Sequence, residues 1–149
     1  MGLYDRIDED ISSARRRSDE VALAALSVLK SEVVNASKES VNRGSVDDAL
    51  VISVARKEIK RRQESAQAFA GAGRAEAADR ERAMAGIVES YLPAQLSQQE
   101  LDLEVRAVIE DLQPSGPGAF GMVMKEASKR LAGRAEGGQI AATARKLLG

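Results

Sequence analysis

Apolar residues return at intervals of three and four along nearly the whole chain and never settle into sustained alternation with polar ones. That period lets an α-helix bury one face, whereas a strand needs a repeat of two. Strand propensity is concentrated in Leu50-Val51-Ile52, but Ile52, Ala55, Ile59, Ala66 and Phe69 carry a helical stripe through it, and no turn follows until Gly71. The fold class predicted is all-α.

Seven helices are expected. Leu3, Ile7, Ile11 and Ala14 share a face, closed by Arg15, Arg16 and Arg17 where cations suit the negative end of the helix dipole. Ser18-Asp19 caps a second helix, striped by Ala22, Ala25, Leu26, Leu29, Val33 and Ala36 and stopped by Asn42-Arg43-Gly44. Ser45 with Asp48 resembles a capping box for the third, and Gly71-Ala72-Gly73 separates it from a fourth that runs to Leu92, with Ala77, Met84, Val88 and Tyr91 on its apolar side. Pro93 disfavours helix at the residue before it. Residues 1–92 are therefore read as a four-helix N-terminal domain, 93–96 as a linker and 97–149 as a three-helix C-terminal domain.

Ser97 and Glu100 form an S-x-x-E capping box, with Leu96 and Leu101 placed as a hydrophobic staple. Leu101, Val105, Val108 and Leu112 continue that helix up to Pro114. Phe120, Val123, Met124, Ala127 and Leu131 mark a sixth helix ending near Gly133, and Ile140, Ala144, Leu147 and Leu148 a seventh.

Composition narrows the chemistry. The 149 residues contain no histidine and no cysteine, which removes the Ser-His-Asp triad, thiol nucleophiles, disulfides and imidazole or thiolate metal ligands. No cofactor or metal is expected. Aromatic residues are only Tyr4, Phe69, Tyr91 and Phe120, so Ala, Leu, Val, Ile and Met must fill the interior and the core is thin. The first 14 residues alternate acidic and apolar types and do not form a leader, and no apolar run nears the ~20 residues of a membrane span. A cytoplasmic chain without membrane partners is expected.

Gly116-Pro117-Gly118-Ala119-Phe120-Gly121 matches G-x-G-x-x-G literally, but helix and Pro114 precede it and Pro117 has no N–H to offer a phosphate. It reads as an interhelical loop whose place before a helix would still suit one phosphate of a larger ligand. Lys57, Lys60 and Arg61 turn away from the third helix's stripe and make a secondary basic face, open to pairing with Glu58 and Glu64 on a solvated surface.

Formal net charge is −1, yet the C-terminal part is strongly divided. Residues 94–113 set Arg106 against Glu100, Asp102, Glu104, Glu110 and Asp111, a net of −4. Residues 114–149 set Lys125, Lys129, Arg130, Arg134, Arg145 and Lys146 against Glu126 and Glu136, a net of +4. Two arrangements are open: a basic exterior able to neutralise phosphates, or intramolecular pairing with the acidic fifth helix. Without an aromatic ladder, structured RNA is favoured over single strands.

Three stretches carry a family likeness: Lys57-Glu58-Ile59-Lys60-Arg61-Arg62-Gln63-Glu64-Ser65, then Glu89-Ser90-Tyr91-Leu92-Pro93-Ala94-Gln95-Leu96-Ser97, then Gly121-Met122-Val123-Met124-Lys125 with Gly133-Arg134-Ala135-Glu136-Gly137. Together they resemble the GatB/YqeY family, and its stand-alone YqeY-like members in particular. The resemblance implies a helical N-terminal domain joined to a three-helix tail similar to the C-terminal part of the B subunit of the glutamine-dependent tRNA amidotransferase. In that enzyme the tail contacts tRNA while other parts hold the carbon–nitrogen ligase chemistry, and no counterpart of those parts is expected here.

The same resemblance implies that Gly121, Lys125, Gly133 and Arg134 belong to a tRNA-facing surface. Glu136 departs from the family's usual aspartate, and the longer acid is a poorer cap for the last helix. The expectation is a tRNA-binding or amidotransferase-associated accessory protein with no catalysis of its own. The alternative is a helical module that docks a synthetase or amidotransferase subunit.

Overall fold

The computed structural model describes residues 2–39 and 46–149, and every regular element among them is a helix. In order these are α1 (Leu3–Arg16), α2 (Glu20–Glu39), α3 (Asp48–Gly71), α4 (Ala75–Glu89), α5 (Gln98–Leu112), α6 (Ala119–Arg130) and α7 (Gly137–Leu148). They form two compact units, Met1–Leu92 and Pro93–Gly149. No helix among the described residues is long and apolar enough to cross a membrane.

Local chemistry sets the helix starts. Asp19 accepts the Ala22 N–H at 3.0 Å to begin α2, and Asp47 accepts the Leu50 N–H at 2.9 Å to begin α3. The third helix is therefore capped by Asp47. Ser45 and the Asn42-Arg43-Gly44 stop lie outside the described residues. Asp48 is instead used by another helix: its Oδ1 accepts the Leu3 N–H at 2.8 Å, satisfying a free donor at the start of α1. A Cβ at Gly2 would lie 3.2 Å from that oxygen, so glycine keeps the approach open.

In the first unit α3 and α4 form a long hairpin turned at Gly73, whose φ of 76° favours glycine. The core collects Ile7, Ala14, Ala25, Leu26, Leu29, Val33, Val51, Ala55, Met84 and Val88. The α3 stripe enters it through Val51 and Val54, with Ile52 only half-buried, and α4 contributes Ala78 where Ala77 was expected. Fully burying Leu29 or Val33 contributes about 1.5–3 kcal/mol each, more than an alanine can.

α4 ends at Glu89, three residues before the predicted Leu92. The Ser90 hydroxyl donates to the Ile87 carbonyl at 2.8 Å, and Tyr91 N–H bonds the Val88 carbonyl, tightening the last turn. The tightened turn swings the Tyr91 ring into the core, where it is 2% exposed. Its hydroxyl donates to Asp10 of α1 in a short hydrogen bond. Arg6 covers the ring at 4.4 Å from its centroid and donates to the Ser90 carbonyl and hydroxyl.

The second unit packs α5, α6 and α7 around Leu101, Val105, Val108, Val123, Ala127, Leu131, Ile140 and Ala144. Ser97 accepts the Glu100 N–H at 3.2 Å while its own N–H donates to Glu100 Oε1 at 3.0 Å, a complete capping box. α6 stops at Arg130, short of Gly133, because the chain tightens at Leu131 and turns through Gly133 at φ 79°. The segment entering α5 is tied to that turn: Leu96 N–H donates to the Arg134 carbonyl at 2.9 Å, and the Gln95 amide to the Gly133 carbonyl at 2.8 Å.

Candidate nucleic-acid interface

The six basic residues of α6, α7 and the turn between them divide into distinct groups. Arg130 is engaged by acids on two sides, Asp111 of α5 at 2.8 Å and Glu126 of α6 at 3.0 Å. Both partners raise the guanidinium's pKa further, with Asp111 the stronger cause. Lys146 lies 3.2 Å from Asp102 of α5. Asp102 is held below the usual carboxylate range first by a hydrogen bond from Gln98 and then by Lys146. Gln98 also donates to Thr143 at 3.1 Å, so a polar run of Thr143, Gln98, Asp102 and Lys146 joins α5 to α7.

Arg145 sits over the Phe120 ring, 4.9 Å from its centroid, a cation–π contact that draws the side chain toward the start of α6. Arg134 is half-buried in the turn after α6, where its charge helps to lower the Glu100 carboxyl behind the larger effect of the Ser97 backbone and side chain. Lys125 and Lys129 are different. Both are exposed on α6, and among the described residues neither has an acidic partner.

At 3.6 residues per turn Gly121, Met122, Lys125, Ser128 and Lys129 share about a third of the α6 circumference, opposite Val123 and Ala127. Met122 is 48% exposed. Lys125 and Lys129 stand about 6 Å apart along the axis, one turn from each other. Gly121 costs the helix roughly 0.5–1 kcal/mol relative to alanine. Arg130 points to one side of this strip, toward α5. The outward face of α6 is therefore basic and low in relief, while the pairing with α5 cancels the charge beside it.

The secondary basic face proves to be mixed. Arg61 donates to Glu58 in a short ion pair and lies 3.9 Å from Glu32 of α2. Glu58, read from sequence as a surface partner, is 2% exposed, with Arg62 Nε 2.9 Å from its Oε1. Arg62 continues to Glu81 of α4 at 3.1 Å. This network ties α2, α3 and α4 together and uses Glu58, Arg61 and Arg62 of the Lys57–Ser65 stretch. An open groove between α2 and α3 carries Lys57, Lys60 and Arg61 against Glu32, Glu39 and Glu64. These charges balance, so the groove does not concentrate anions as a single-sign surface does.

Sequence reasoning missed Gln98, Thr143 and the Phe120–Arg145 stack, which depend on α5, α6 and α7 meeting side by side. Among the described residues no three acidic side chains group as metal ligands. Comparison with known proteins adds two findings. The family model described as "Yqey-like protein" matches residues 4–148. The chain is also 27% identical over 133 residues, covering 87% of this chain and 71% of the relative, to "Altered inheritance of mitochondria protein 41, mitochondrial" of Pyrenophora tritici-repentis (strain Pt-1C-BFP).

Proposed function

The chain belongs to the Yqey-like protein family, and from that premise we propose that it is a tRNA-binding accessory protein whose second unit contacts the RNA backbone. The observation that carries this reading is the α6 strip, where Lys125 and Lys129 stand on one exposed face without acidic partners among the described residues. Arg145 stacks on Phe120 at the start of the same helix, Arg134 follows in the turn after it, and Arg130 and Lys146 contribute less because α5 already neutralises them. Such a surface orients a polyanion without reading bases, since phosphate contacts carry no sequence information. The cytoplasm is the proposed compartment.

Titration of fluorescent total tRNA against the protein across a salt series tests the reading. Binding should weaken steeply and log-linearly with salt. Absence of binding at low salt rejects it.

A second reading rests on the groove between α2 and α3, whose acidic wall on α2 and basic wall on α3 suit a protein helix bearing both charges. A synthetase or amidotransferase subunit is the proposed partner. Recovery of the same protein partners after nuclease treatment favours this reading, and their loss on nuclease treatment favours the first.

A further inference from the structure

Gly121 lies in the first turns of α6, a position where glycine weakens a helix, and nothing inside the protein requires it. A Cβ built there meets no heavy atom within 4 Å, and its φ is not left-handed. Neither a turn nor close internal packing explains the missing side chain. It shares its face with Lys125 and Lys129, exposed cations that have no acidic partner among the described residues, and with Ser128, whose hydroxyl has no protein partner among them. Gly86 of α4 is open in the same way, but the residues around it are Arg82, paired with Asp79, and Glu89. Unlike Gly86, Gly121 stands beside charge of one sign.

We propose, building on the tRNA reading above, that the outer face of α6 lies directly against the sugar–phosphate backbone of an RNA duplex, with Gly121 as the point of closest approach. Lys125 and Lys129, one turn apart, reach successive phosphates on one strand. The duplex is favoured over a single strand because the aromatic of the second unit, Phe120, is not free to stack a base: it packs on the core beneath Arg145. The minor groove of A-form RNA is wide and shallow and lined with 2′-hydroxyls, so a helix face with small residues enters it without deforming it. Ser128 is placed to exchange a hydrogen bond with one of those hydroxyls, and Met122 to lie flat against a ribose.

The test uses the full chain with four probes: total tRNA, a short blunt RNA duplex, the DNA duplex of the same sequence and single-stranded RNA. Gly121→Leu is expected to fold as the wild type does, because its side chain enters open space, yet to bind tRNA and the RNA duplex about tenfold more weakly or worse. Gly86→Leu makes the equivalent change in the first unit and should leave binding intact. Lys125→Ala with Lys129→Ala should flatten the salt dependence by about one unit of slope per lysine. If the wild type binds tRNA while Gly121→Leu and the double lysine variant bind equally well, the α6 face is wrong and the tRNA reading survives. If the wild type binds no tRNA, that reading fails first. Equal affinity for the DNA duplex, or preference for the single strand, overturns the duplex-RNA assignment.

Discussion

Tyr91 donates its phenolic hydrogen to Asp10, a residue 81 positions earlier in the chain. Burial, and then the Asp10 carboxylate, push the phenol's pKa upward. The folded state therefore favours the neutral ring, and its contribution is fully present below the ordinary phenol value of about 10 and lost as pH rises beyond it. Tyr91→Phe should cost about 1 kcal/mol at neutral pH, since Asp10 keeps Arg6 at 3.4 Å. Urea unfolding of both proteins from neutral to strongly alkaline pH should show the difference shrinking above pH ~10.

Glu58 holds two arginines from a position almost closed to water. Glu58→Gln should destabilise the first unit by roughly 3 kcal/mol, the lower end for a broken buried pair, because Arg62 retains Glu81. Arg61→Ala should cost under about 1 kcal/mol, since that side chain is 57% exposed and its attraction is screened. Denaturant midpoints of the two variants compare them directly.

Ser97→Ala removes one half of the α5 capping box and should cost about 1 kcal/mol. It also frees the Glu100 carboxyl, whose pKa is lowered first by the Ser97 backbone and then by its side chain. A lowered carboxyl stabilises the fold above its unfolded pKa, and that gain disappears as pH falls through the folded value. Carboxyl titration by NMR should find Glu100 closer to an ordinary glutamate in the variant.

Asp102 and Asp111 restrain Lys146 and Arg130. Asp102→Asn combined with Asp111→Asn should release Lys146 and loosen Arg130, which keeps Glu126 at 3.0 Å, and so tighten tRNA binding and steepen its salt dependence by about one unit of slope. An unchanged slope in the doubly neutralised protein would show that these cations never reach the RNA.

The cores of the two units are separate clusters. Leu29→Ala and Leu131→Ala should each cost about 2–5 kcal/mol, and hydrogen exchange should confine each loss of protection to its own unit. Loss spread over the whole chain would show that the units do not fold separately.

Features built from neighbours in sequence were readable before the structure. Ser97 and Glu100 stand three residues apart, so their box needs only the backbone of one turn, and the Leu101–Val105–Val108 stripe follows from helical period alone. The use of Asp48 was not readable in the same way, because its acceptor role depends on Leu3 of another helix coming within hydrogen-bond distance. Glu58 looked like a surface residue because a lone carboxylate belongs there, and its burial is tolerable only with Arg61 and Arg62 beside it. Net charges of −4 and +4 for the two C-terminal stretches could not tell which cations would meet an acid. That partition depends on how α5 lies alongside α6 and α7.

The hydrogen bonds from Gln95 and Leu96 to Gly133 and Arg134 also constrain how this protein is made. A nascent chain that has emerged only as far as α5 lacks the Gly133 and Arg134 carbonyls, so the Leu96 N–H, and the Gln95 amide beyond its local bond to the Pro93 carbonyl, meet these acceptors only when the turn after α6 leaves the ribosome. The entrance to α5 thus reaches its final form only after α6 has been synthesised, so the second unit closes late in translation, well after the helices of the first have been made.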